Sequence, residues 1–151
     1  VKSLYDELET ANNPRFTLIH DLSPHAPFIF SPDGKMDHPE DIFDMRNYPS
    51  HYDYSFQITM NMVDMVIEQD PDAIIALVGD HGIHIGMNLS LLEGSYGPED
   101  ELALYNNIFY AIRIPETWDA NPDLVLLAEP RNLSRYLINS FVGLNYGYLK
   151  P

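Results

Sequence analysis

Residues 73–82 constrain the fold more than any other stretch of the chain. Ala73-Ile74-Ile75-Ala76-Leu77-Val78 is an unbroken apolar, β-branched run, and it stops abruptly at Gly79-Asp80-His81-Gly82. A run of this kind is expected to be a strand buried on both faces of a parallel sheet. The helical spacing of Phe56, Met60, Val63 and Ile67 predicts a helix over Ser55–Gln69 just before it, ended by Asp70-Pro71-Asp72. A helix, a tight turn and a buried strand make half of a right-handed βαβ crossover. Ligands of open α/β sheets gather at the carboxyl ends of strands, so the Gly-Asp-His-Gly quartet falls where chemistry is expected.

The rest of the chain fills in around this unit. Leu4, Leu8 and Ala11 predict a short helix, and Phe16–His20 a strand. Ser23–Tyr52 has no period and is rich in Pro, Asp and His. It holds Asp33, Asp37, Glu40, Asp41 and Asp44, with Asp53 just past its end, against Lys35 and Arg46, and reads as a solvated charged loop. A second irregular stretch runs to about Glu101. Tyr105–Ile114 and the short Leu124–Leu127 are further strand candidates. A last helix runs from Arg131 or Asn132 to Phe141, with Leu133, Leu137 and Phe141 on its buried face and Gly143 closing it. The expectation is one α/β unit over residues 1–151, with a mostly parallel central sheet flanked by helices.

Charge removes whole classes of partner. The net charge is −15 over 151 residues, which disfavours nucleic acid and anionic membrane surfaces. No apolar run approaches the ~20 residues of a spanning helix. Without cysteine there are no disulfides and no thiolate ligands.

Asp80 supplies a hard oxygen and His81 a nitrogen, and the flanking glycines let the backbone turn so that both point one way. That suits a divalent metal. His84 is near enough in sequence to reach the same pocket. The competing reading has Asp80 capping a turn while His81 packs beside it. His25, between Pro24 and Pro27, is the second candidate. His20 reads as structural, and His38 and His51 carry no signal. A Gly-rich phosphate loop, a G-x-S-x-G elbow and an H-E-x-x-H motif are all missing.

Taken in order, Pro24-His25-Ala26-Pro27-Phe28, the long helix, Asp70-Pro71-Asp72-Ala73, Gly79-Asp80-His81-Gly82, Tyr105–Pro115 and the Asn132–Gly143 helix resemble the C-terminal half of sulfatase-like proteins. These belong to the alkaline phosphatase superfamily, which includes the membrane-anchored phosphoethanolamine and phosphoglycerol transferases. The resemblance runs from about Arg15 to Leu149. It implies a partial alkaline-phosphatase/sulfatase-like fold and a divalent ion (Mn, Mg, Zn or Ca) held by Asp80 and His81. It also implies that His25, and more loosely His84, contact the phosphate or sulfate of an ester substrate. The family's hydroxyl nucleophile and remaining metal carboxylates have no counterpart here, so this chain alone is expected to be inactive and part of a longer, extracytoplasmic protein. Leu91–Ser95 lacks the Lys or His that sulfatases proper carry after the motif, which weighs against sulfate-ester hydrolysis. The alternative is a non-catalytic acidic module, binding Ca²⁺ or a basic partner. A small phosphohydrolase using Asp80, His81, His84 and His25 unaided is a third reading, disfavoured by the missing nucleophile. A half-domain would also expose faces that favour self-association.

Overall fold

The computed structural model describes residues 15–36, 42–82, 98–117, 127 and 129–150. The chain groups into two compact units, residues 1–71 with 84–104 and residues 72–83 with 105–151. The expected helix over residues 4–11 lies outside the described residues, as do His38, His84 and all but Leu127 of the 124–127 strand candidate.

In the first unit a 3₁₀ turn, Met45–Asn47, leads into the long helix α1, Tyr48–Gln69. Asp44 starts it: its Oδ1 accepts the Arg46 backbone N–H at 2.9 Å, and its carboxylate also takes the Arg46 side chain. Pro49 occupies the first turn, where its missing N–H costs nothing. The helix therefore begins seven residues before the expected Ser55, because capping chemistry rather than apolar period sets its start. The predicted apolar face is only half covered, with Phe56 exposed. The residues α1 buries are His51 and Ser55.

The segment ahead of α1 packs onto that buried spot. Phe28 is buried, donates its N–H to the Ile42 carbonyl at 2.7 Å and meets Tyr48 edge-on at 5.5 Å. Phe30 lies flat on the His51 imidazole at 5.5 Å and 7°. Beyond it a tight turn over Ser31–Lys35 closes, with a Phe30–Met36 bridge. Gly34 sits there at φ +76°, and a Cβ on it would stand 2.4 Å from the Tyr54 ring, so both conformation and space call for glycine.

His51 has a consequence for pH. It is 3% exposed, and its Nδ1 accepts the Phe30 N–H at 3.4 Å. Burial pushes its imidazole below the ordinary histidine value of 6.5, against a smaller upward pull from Asp21. Of the other charged groups nearby, Asp33 is paired with Lys35 and Asp44 with Arg46, and Asp53 is exposed. The unfolded chain thus takes up a proton that the folded unit resists, so the His51 contribution is complete above about pH 6.5 and falls away below it. Hydrogen exchange of the α1 amides from pH 7.5 to 5 should show protection dropping with acid. His51→Asn keeps an acceptor for Phe30 without a titrating ring and should flatten that slope. His51→Ala should cost about 1–3 kcal/mol, as it strips the partner from the Phe30 N–H.

The second unit overturns the expected sheet. Strand β1, Ile75–Val78, pairs with β2, Tyr110–Arg113, and they run antiparallel, Ile75 opposite Arg113 and Val78 opposite Tyr110. This two-stranded sheet is the only sheet among the described residues, so the mostly parallel central sheet, and the sulfatase-like fold drawn from it, do not stand. β1 alternates between half-buried and exposed positions, with Val78 51% exposed. One wet face is the signature of antiparallel pairing, and an apolar run alone does not encode strand direction. Phe16–His20 forms no strand, and Phe16 and Leu18 are about four-fifths exposed. Helix α2, Pro98–Asn106, takes Tyr105 out of the expected second strand. The open end of the pair is tied by Arg113 Nη1 to the Ala73 carbonyl at 2.6 Å and by Thr117 Oγ1 to Asp72 at 2.5 Å.

Helix α3, Asn132–Leu137, continues as a π turn over Ile138–Val142 and stops at Gly143, whose φ of 74° is left-handed. Its buried face is Asn132 and Tyr136 rather than the expected leucines, which are half-buried. The tail returns along the helix. Asn132 donates to the Leu149 carbonyl at 2.8 Å and accepts its N–H at 2.7 Å, and Asn139 treats Tyr146 in the same way.

Candidate metal centre

The Gly79–Gly82 quartet leaves β1 directly, and antiparallel pairing fixes where it goes. The Gly79 N–H continues the ladder to the Phe109 carbonyl at 2.8 Å, and the Gly82 N–H reaches the Tyr105 carbonyl at 2.6 Å. Between these anchors the turn presents Asp80 and His81 side by side. The Asp80 Oδ1 accepts the His81 backbone N–H at 3.0 Å. The other carboxylate oxygen stands 3.7 Å from His81 Nε2, with the Asp80 side chain 85% exposed and the His81 side chain 34%.

The tautomer of His81 follows from its partner. Nδ1 lies 2.7 Å from the Gly82 carbonyl, which can only accept, so Nδ1 carries the proton. In the neutral ring Nε2 is then a lone pair, 3.7 Å from a carboxylate oxygen. Two donors about 2.0–2.2 Å from one ion at a tetrahedral angle stand about 3.4 Å apart. The observed separation is close to that, and a backbone carbonyl holding the far nitrogen is the usual support of a metal-bound histidine. The donor set therefore fits a divalent ion. It is also incomplete: among the described residues no three His, Asp or Glu side chains converge into a metal-holding group.

Comparison of the chain with family models, with curated proteins and with solved structures finds no match.

His25 belongs to the first unit and Asp80 and His81 to the second. His25 is exposed, in a turn closed by its N–H to the Leu22 carbonyl at 2.8 Å. Its Nδ1 lies 2.8 Å from the Ala26 carbonyl, the same arrangement as in His81. The outcome for an anion differs, since with Nδ1 committed, Nε2 can donate to an oxyanion only when the ring is protonated. His20 is exposed and outside any strand. No helix among the described residues is long and apolar enough to cross a membrane.

Sequence reasoning missed His51 and Tyr105. The His51–Ser55 spacing, with the Ser55 hydroxyl donating to the His51 carbonyl at 2.8 Å, is helical and could have extended α1 toward Pro49. Tyr105 had no signal, because its place depends on the direction of β2.

Proposed function

We propose that this chain supplies two ligands, Asp80 and His81, to a divalent-metal centre in a hydrolase or transferase of phosphate or sulfate esters. The observation that carries the metal assignment is the Asp80–His81 pair itself: 3.7 Å between Oδ2 and Nε2, with the other ring nitrogen held by the Gly82 carbonyl. The ester class rests on the resemblance of the motifs, as does the extracytoplasmic location that goes with it. When bound, a divalent ion activates a hydroxyl nucleophile and takes up charge on the transferring group.

The chain's own residues then have separate tasks. Asp80 provides the anionic oxygen, exposed and able to turn toward the ion. His81 provides a nitrogen whose orientation the bond from Nδ1 to the Gly82 carbonyl fixes. A catalytic metal takes three or more protein ligands, so this pair is one part of a larger set.

The test is release of p-nitrophenol from its phosphate monoester, phosphate diester and sulfate by the protein that carries this chain, with and without Mn²⁺. Metal-dependent release from at least one ester is expected. Asp80→Asn should abolish it. Turnover that survives Asp80→Asn, or metal binding with no metal-dependent turnover on any ester, contradicts the reading.

A further inference from the structure

We infer that Tyr105 is a positioning residue for His81, holding its imidazole from the side while Gly82 holds it from the end. The inference rests on the metal-ligand reading of His81, but the geometry behind it is independent of any metal.

Tyr105 sits at the end of α2, four residues before Phe109, whose carbonyl accepts the Gly79 N–H. Antiparallel pairing brings residues 105–109 back beside the turn after β1. Parallel pairing would have put the far end of β2 there instead. Two contacts result. The Tyr105 carbonyl accepts the Gly82 N–H at 2.6 Å, which fixes the backbone that carries the carbonyl acceptor of His81. The Tyr105 ring lies almost parallel to the imidazole, with centroids 5.3 Å apart and planes at 11°.

These restraints act on different freedoms of His81. The bond from Nδ1 to the Gly82 carbonyl resists a ring flip, which would exchange the two nitrogens. The phenol face resists the rocking that would swing Nε2 away from Asp80. A metal-bound imidazole is electron-poor and gains from lying against the negative face of an aromatic ring, so the stack favours the loaded ligand. The Tyr105 side is 40% exposed, so the ring covers the imidazole without being locked in a core, and its contribution can be read by substitution. The hydroxyl plays no part in the stack, and phenylalanine should therefore replace tyrosine.

The experiment compares wild type, Tyr105→Phe and Tyr105→Leu by Zn²⁺ titration calorimetry, alongside ¹H–¹⁵N spectra of the histidine rings in the metal-free chain. The Phe variant should bind Zn²⁺ within about twofold of wild type. The Leu variant should bind about threefold to tenfold more weakly, the range of one aromatic pair. Its His81 ring protons should also shift as the neighbouring ring current is lost, whereas Phe leaves them in place. A purely structural role for the residue would not single out the His81 ring signals, nor be rescued by Phe. If wild type takes up no Zn²⁺, the metal-ligand reading fails, and the ring spectra still decide whether Tyr105 orients His81. A Leu variant with wild-type affinity and unmoved His81 resonances overturns the inference. Tyr105→Met repeats the comparison should Leu unfold the unit.

Discussion

Asn132→Ala should lower the stability of the second unit by about 2–4 kcal/mol, a large part of what a unit of that size holds. Asn132 has no exposed surface, and its amide spends its donor and its acceptor on the backbone of one residue, Leu149. Losing the side chain forfeits both bonds and leaves the Leu149 N–H and carbonyl without these partners where the tail lies against α3. Each such bond contributes about 0.5–1.5 kcal/mol, and each buried group left unmade costs about 1–3. Asn139 makes the same pair of bonds to Tyr146 in a more exposed setting, so Asn139→Ala should cost about 0.5–1.5 kcal/mol. The same helix offers a control. The Tyr136 hydroxyl is buried with no hydrogen-bond partner among the described residues, so Tyr136→Phe should be neutral or stabilising. Urea unfolding with exchange of the Leu149 amide separates these cases. Asn132→Ala within about 0.5 kcal/mol of wild type would show that the tail contributes nothing.

The other large effect concerns the metal pair. Asp80→Asn keeps the shape of the side chain and its acceptor for the His81 N–H but removes the charge. His81→Ala removes the nitrogen that the Gly82 carbonyl holds in place. Each should weaken Zn²⁺ binding by at least about tenfold to a hundredfold, since even a supporting group around a metal commonly matters that much. The two losses should not add. With one ligand gone, the other is a lone side chain with little affinity of its own, so the double variant should bind no more weakly than the poorer single one. Additive losses would mean that Asp80 and His81 bind separate ions.

The location of the pair was legible in the sequence, and its surroundings were not. The apolar run over 73–78 and the glycine-flanked Asp80-His81 fix a strand with a sharp turn behind it, and both are present. Strand direction is a property of pairing that an apolar run does not record. The helix ahead of β1 and the unbroken apolar run favoured the parallel reading, and the antiparallel register that forms instead is what carries Tyr105 to His81. α1 was placed but started late, because Asp44 and Pro49 lie in a stretch read only for its acidity. The last helix was legible to its Gly143 stop. Its buried asparagine was not, because a polar residue wins an interior position only when something downstream, here the backbone of Leu149, satisfies it.

The most direct test of the metal assignment is a Mn²⁺ titration of the chain followed by NMR at substoichiometric metal. Paramagnetic broadening should strike the His81 ring protons and the amides of Asp80 to Gly82 first. Broadening that begins at Asp33, Asp44 or across the acidic surface in general, with the His81 ring unaffected, would show that the ion answers to the charge of −15 and not to the Asp80–His81 pair.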